Sequence, residues 1–288
     1  MQVKIITDSC SDLPIEYIND NDISVVSMTY HFKGREYADD FGRTISYSEF
    51  YAAVRNGEMS TTSQINVFTF AEEFKKHIKD GQSIIYIGFS SALSGSLNNA
   101  LIAKDMVLKE YSNADISVID SKSASAGEGL LVYYACEMLK NGKSKQEIVE
   151  WVKNNKLKLN HWFTVDSLNH LRRGGRVSNT KAFIGTVLDI KPVLHVDDEG
   201  RLIPVRKVKG RKKSIRMIAN KFFEMAVKPE EQLVIISHGD CIEDANHLKE
   251  LILKETSVKD IIITYIGPVI GAHSGPGTLA LFFIGEKR

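Results

Sequence analysis

The sequence predicts a two-domain α/β protein: an N-terminal parallel α/β sheet domain over residues 1–157 and a C-terminal α+β domain over residues 158–288. Three observations carry that expectation. Short apolar strands alternate with amphipathic helices through the first half, the pattern of a parallel sheet wrapped by helices. The segment at 83–89 is a nearly unbroken apolar run, as for a strand buried on both faces. At roughly 150 residues per domain, the 288 residues make two domains, and the pattern changes character after the charged segment 144–156.

Each element of the first half has its own signal. Residues 3–8 form a short β-rich run that stops at Asp-Ser. Ser11-Asp12-Leu13-Pro14 then offers a cap and a proline, as at a helix start. Residues 23–26 and 28–32 read as strands. A short helix covers 48–54 and closes at Asn56-Gly57; apolar residues at helical spacing run over 68–78. Strand 83–89 leads to a helix over 95–111, and strand 116–120 leads to a helix over 129–139 that closes at Asn141-Gly142. The helix over 144–156 leads out of the first domain.

From His161 onward, strands are interleaved with longer polar connections. Residues 201–208 alternate, Gly210 interrupts them, and 211–225 is a basic amphipathic helix. A strand over 232–237 ends in the turn His238-Gly239-Asp240. A helix over 245–255 and strands over 260–266 and 278–285 complete the chain.

Composition excludes several classes. With 43% apolar and 25% charged residues, the chain is neither disordered nor a simple repeat. Thirty-seven basic against 36 acidic residues leave a formal charge of +1. That gives no field to hold a polyanion, and nucleic acid is not an expected partner. No apolar run approaches the ~18 residues of a membrane span, and the N-terminus has no secretory pattern, so a cytoplasmic protein is expected. Three cysteines without a CxxC pair fit reduced thiols rather than a disulfide frame or zinc site. Scattered histidines suggest no metal, and no glycine-rich nucleotide loop is present, so no cofactor is expected.

Ligands of parallel α/β sheets sit beyond the carboxyl ends of the strands. Three such ends carry hydroxyls or acids: Thr7-Asp8-Ser9, Ser90-Ser91 and Asp120-Ser121. In Ser90-Ser91-Ala92-Leu93-Ser94-Gly95-Ser96, small residues allow a tight turn and hydroxyls gather where a helix exposes its first N–H groups, which favours an anion. Plain N-capping by Ser91 or Ser94 is the alternative. Thr61-Thr62-Ser63-Gln64 is a second hydroxyl-rich loop, and Arg172-Arg173-Gly174-Gly175-Arg176 is a turn between arginines that suit a carboxylate or phosphate. Residues 266–278 pack glycines and prolines around His273 and Ser274, a backbone able to approach a ligand closely. Residues 201–216 hold many cations and no acid, either a solvated face or a docking patch. Ser94 or Ser91 with His273 as base, oriented by Asp8 or Asp120, is a conceivable serine-dependent acyl or lipid hydrolase, although no motif fixes that geometry.

Taken together in order, these segments resemble the DegV family of fatty-acid-binding proteins. The match runs from Lys4 to Gly285 through Thr7-Asp8-Ser9, Asp12-Leu13-Pro14, Thr62-Ser63-Gln64, Ser90-Ser91, Leu93-Ser94-Gly95, Asp120-Ser121, Arg173-Gly174-Gly175-Arg176, Ile190-Lys191-Pro192 and the run from Gly271 to Gly277. The resemblance implies a ligand tunnel between the two domains holding one long-chain fatty acid. Its carboxylate would meet Thr62, Ser94, Arg173 and His273, with support from Ser63, Gly95 and Ser274. It implies a non-enzymatic role: the bound acid is presented to a separate ATP-dependent fatty acid kinase, and the acyl phosphate product feeds phospholipid synthesis. Membrane contact would be at most transient. Arg206, Lys207, Lys209 and Arg211 are the docking candidates for that partner. Two positions depart from the family pattern: Ile65 replaces a common proline, and Ser96-Leu97 replaces a common Thr-Tyr.

Overall fold

A computed structural model describes residues 2–177 and 189–288. In chain order the first half holds β1 (Val3–Asp8), α1 (Ile15–Asp20), β2 (Ser24–Val26), β3 (Thr29–Phe32), β4 (Arg35–Ala38), α2 (Tyr47–Arg55), β5 (Thr61–Ser63), α3 (Val67–Lys79), β6 (Ser83–Gly88), α4 (Ser96–Glu110), β7 (Ile116–Asp120), α5 (Ala126–Lys140) and α6 (Lys145–Asn155). The second half holds β8 (Leu159–Thr164), α7 (Asn169–Arg173), β9 (Ile190–Val196), β10 (Leu202–Lys209), α8 (Arg211–Met225), β11 (Leu233–His238), α9 (Ile242–Glu255), β12 (Asp260–Tyr265), α10 (Pro268–Ser274) and β13 (Leu279–Ile284).

The fold is mixed α/β. A parallel sheet ordered β2-β1-β6-β7 forms the N-terminal part. A six-stranded sheet ordered β10-β9-β8-β13-β11-β12, antiparallel except at β11–β12, forms the α+β C-terminal part. β6 is buried along its whole length, as its unbroken apolar sequence requires.

The structure corrects the sequence reading in several places, among them the expected loop at 61–64, where Thr61–Ser63 forms β5 because it pairs with β3. Residues 28–32 do not join the parallel sheet; β3 belongs to a small antiparallel sheet ordered β4-β3-β5. β4 was missed because its hairpin turns on Lys33 and Gly34, both with positive φ, and lysine is not a usual turn signal. The stretch around His273 is no loop but contains α10: Pro268 occupies the first turn, where its missing N–H costs nothing. Gly271 serves packing there, since a Cβ would lie 2.6 Å from the Tyr51 hydroxyl. Likewise α7 precedes the Gly-Gly pair, where only a turn was expected.

One hydrophobic cluster draws on both parts of the chain, from Ile5 and Phe50 to Phe163 and Phe282; a second belongs to the six-stranded sheet and its helices α8 and α9. Buried polar links frame the shared cluster. Asp12 accepts from the Gly267 N–H at 2.9 Å and from the Ser125 hydroxyl, while its carbonyl accepts from Thr264 Oγ1 at 2.9 Å. The Tyr51 hydroxyl donates to the Ile266 carbonyl at 2.8 Å, and Ser90 Oγ donates to the Gly200 carbonyl at 2.9 Å. The Arg288 guanidinium donates to the carbonyls of Leu159, Lys122, Asp197 and Lys156.

Arg288 thus ties segments of both parts with charge-assisted bonds, each of which contributes about 1.5–3 kcal/mol. Arg288→Ala is expected to lower stability by about 2 kcal/mol, read as a drop in the denaturant midpoint at constant slope. An unchanged midpoint would show that water replaces the guanidinium without loss.

Candidate functional site

A cavity of about 480 Å³ opens between the parallel sheet and the six-stranded sheet. Such a volume lies in the ordinary range for small-molecule sites. Apolar side chains dominate its wall, among them Met28, Phe89, Phe163, Val196, Leu202 and Phe282. A cluster of polar side chains is formed by Thr62, Ser63 and Gln64 from β5 and the residue after it, Ser94 beside Gly95 in the turn before α4, Arg176 after α7, and His273 and Ser274 from α10; Ser125, His161 and Thr278 are the other polar residues on the wall.

Local sequence explains this convergence. β5 pairs with β3 with Thr62 opposite Tyr30, and Thr62 Oγ1 lies 2.8 Å from His273 Nε2. Gly95 lets Gln64 press against the turn, because a Cβ there would stand 2.1 Å from Gln64 Oε1. Gly174 does the same for His273, whose Nδ1 would be 2.2 Å from an added Cβ. Ser94 Oγ lies 3.0 Å from Ser96 Oγ and accepts the Ser96 N–H at 3.2 Å. Ser96 Oγ in turn accepts the Ile65 N–H at 3.1 Å. A proline at position 65 would have no N–H to give to that hydroxyl.

Arg176 bridges the two parts of the wall. Its Nε donates to the Leu93 carbonyl at 3.2 Å and its Nη1 to the Gly174 carbonyl. Burial, reinforced by the Arg176 charge, pushes the His273 imidazole down to about 4. At neutral pH the cluster thus comprises hydroxyls, a neutral imidazole and one guanidinium. That is the chemistry of an acceptor for a single carboxylate: donors to orient it and one positive charge to compensate it.

Thr62, Ser63, Ser94, Gly95, His273 and Ser274 all line this cavity, whereas Arg173 does not. Arg173 is exposed and its Nη2 lies 3.1 Å from His170 Nδ1; the cation on the wall is Arg176, three residues later. A helical turn ends between them, which a sequence read as one flat Gly-Gly loop does not reveal. Gln64 and Arg176 stand inside motifs the sequence singles out but are not among the carboxylate contacts expected from it, and the aromatic wall is not expected at all; the side from which each residue is approached is set by tertiary packing alone. The strand-end acids also lie elsewhere. Asp8 accepts from the Tyr86 hydroxyl at 2.9 Å and the Phe89 N–H at 3.1 Å, and Asp120 accepts from the Ser91 N–H at 3.2 Å.

The hydrolase arrangement is absent from this geometry. His273 Nε2 faces Thr62 rather than Ser94, and His273 Nδ1, which an orienting carboxylate would occupy, has no hydrogen-bond partner among the described residues. Among the described residues no group of His, Cys, Asp and Glu side chains could hold a metal ion, and no helix is long and apolar enough to cross a membrane. Of the basic segment, Arg206, Lys207 and Lys209 are exposed on the outer strand β10, while Arg211 Nε donates to Asp244 Oδ2 at 2.8 Å.

Because the His273 value in the folded chain lies below its unfolded value of about 6.5, the unfolded chain takes up the proton first. The contribution to stability is therefore complete above about pH 6.5 and is lost as pH falls toward 4. A titration of the His273 ring by NMR should give a midpoint near 4, and in Gly174→Ala, which displaces the ring, a midpoint moved up toward 6.5. An unmoved midpoint in that variant would mean that the glycine does not seat the imidazole.

The family model described as uncharacterised protein, DegV family, matches residues 2–286. A DegV domain-containing protein of Clostridium perfringens is 49% identical over 284 residues, covering 99% of this chain and 98% of its own length. A DegV lipid-binding protein from Thermotoga maritima is similar in structure at a TM-score of 0.88 and 30% identity, with 100% of both chains covered. DegV from Bacillus subtilis, a fatty-acid-binding protein, gives a TM-score of 0.85 at 30% identity, covering 99% of this chain and 100% of its own.

Proposed function

The chain belongs to the DegV family, and from that premise we propose that it binds one long-chain fatty acid in the cavity between its two sheets. The observation that carries this reading is the cavity's division into an apolar wall and a compact polar cluster. Each buried methylene contributes about 0.8 kcal/mol, so a palmitoyl tail gives a gross gain on the order of 10 kcal/mol. Ordering the chain and losing its free translation offset part of that gain. The tail therefore sets most of the affinity, and the cluster sets the orientation, since a buried carboxylate without donors is heavily penalised.

In this reading the hydroxyls of Thr62 and Ser94 donate to the carboxylate, the neutral His273 ring gives its one N–H to Thr62 Oγ1 and so orients that hydroxyl, and Arg176 balances the charge. Ser63, Gly95 and Ser274 shape the surroundings. Arg173, outside the cavity, has no contact with the acid. The chain acts in the cytoplasm as the substrate-presenting partner of an ATP-dependent fatty acid kinase, which makes the acyl phosphate for phospholipid synthesis. The exposed cations Arg206, Lys207 and Lys209 on β10 dock that kinase, while Arg211 is engaged with Asp244.

Mass spectrometry of an organic extract from natively purified protein should find about one long-chain fatty acid per chain; a lipid-free extract together with no uptake of added palmitic acid would overturn the reading. Arg176→Met is expected to weaken fatty-acid binding on the order of tenfold, the loss of one charge-assisted bond. Ser94→Ala should reduce acyl-phosphate formation by the added kinase more than lipid uptake. Reversing the charges at Arg206, Lys207 and Lys209 should weaken kinase binding with lipid occupancy intact; equal kinase binding would remove β10 as the docking strand.

A further inference from the structure

We propose that the stretch of the cavity wall away from the polar cluster is a subsite for an oxygen function carried along the acyl chain, and that His161 recognises it. The inference rests on the fatty-acid reading above and adds a substrate class to it: acyl chains bearing a hydroxyl remote from the carboxyl group.

The placement follows from strand register. Thr164 pairs with Leu279, Phe163 with Ala280 and His161 with Phe282. Leu279 follows Thr278, whose Oγ1 donates to the carbonyls of Ser274 and Gly275, so this end of β8 stands beside the His273 helix. His161 lies three residues back along β8, about 10 Å away at ~3.3 Å per residue. It lines the same cavity. An acid whose carboxyl group sits at Thr62 and Ser94 would therefore pass His161 with its more distant carbons.

The His161 side chain has the wrong chemistry for a wall that meets only methylenes. The residue is 2% exposed, and among the described residues neither ring nitrogen has a partner within hydrogen-bond geometry, although the Leu159 backbone stands close to the ring. Burial, with the Arg288 charge nearby, holds the imidazole neutral, so one nitrogen is a donor and the other an acceptor. Buried polar atoms are nearly always paired, and an orphan is destabilising. A phenylalanine or leucine would line the wall without that cost. The site is also shaped for the ring: Phe282 stands edge-on at 5.4 Å, and a Cβ on Gly127 would lie 2.2 Å from Nε2.

The other polar groups on this wall are already engaged. Ser125 gives its hydroxyl hydrogen to Asp12 and lies 3.0 Å from Ser237 Oγ; the Thr278 hydroxyl donates to α10. An unsubstituted tail leaves the imidazole unmet, or strips from it any water that served it. A hydroxyl both donates and accepts, and satisfies the ring. A site built to bond a hydroxyl discriminates strongly against the analogue that lacks it.

The test is a binding titration of the delipidated full chain with palmitic acid and a positional series of hydroxypalmitic acids. At least one isomer should bind the native chain on the order of tenfold more tightly than it binds His161→Phe. Palmitic acid should bind that variant at least as well as the native chain. His161→Leu serves as a second variant, with thermal melting to show that each is folded. The ring-nitrogen NMR signals of His161 should move with the preferred isomer and far less with palmitic acid. The proposal is overturned if every hydroxy acid binds more weakly than palmitic acid, and by the same factor in the native chain and both variants. Failure of palmitic acid and all isomers to bind would overturn the fatty-acid reading itself.

Discussion

The carboxyl group of Asp12 joins the two parts of this protein where the cavity begins, and the site depends on that junction. One oxygen accepts from Gly267, the other from Ser125, and the main chain of the same residue accepts from Thr264. Fully buried, the group is pushed well above the ordinary carboxyl range, chiefly by desolvation. Asp39 lies beside it and is raised to about 7 for the same reason. Gly267 permits the approach, since a Cβ would lie 3.0 Å from an oxygen of each acid. Polar bonds of this kind fix geometry where apolar packing alone does not. Two greasy surfaces would otherwise close on each other and fill the space.

The same junction seats the His273 helix. Gly267 and Pro268 start α10, so the residue whose N–H donates to Asp12 is one step from the first turn of the helix whose last turn carries His273 and Ser274. Gly271 packs that helix against Tyr51, whose hydroxyl holds Ile266. Position and charge of the imidazole are thus decided by contacts remote from it in sequence. Its low affinity for a proton keeps the cluster from holding two positive charges, and Arg176 remains its cation.

Most of the fold could be read from the chain. The apolar run of β6, the alternation of strands and helices, and closing pairs such as Asn141-Gly142 place the major elements within a few residues. The errors have physical causes. α10 is short and built from glycine and proline, which usually mark turns; it forms because Pro268 needs no N–H partner and Gly271 is pressed on Tyr51. β4 depends on Lys33 taking a positive φ, which hairpin closure imposes and local preference does not. Within the site, the hydroxyls of Thr62 and Ser94 were legible as polar residues where a strand or helix begins. Arg173 and Arg176 were indistinguishable in sequence, because the choice between them is made by one turn of helix.

What the sequence determined by itself is the α/β class and a set of small polar residues gathered at element ends. These follow from backbone chemistry: which residues tolerate tight turns, expose N–H groups or prefer burial. Tertiary structure alone decided that Thr62 and His273 meet, that Arg176 rather than Arg173 faces the cavity, and that His161 stands on its wall with unmet nitrogens. The reason is that side-chain pairing between residues 211 positions apart depends on how two sheets pack, and no local preference encodes that.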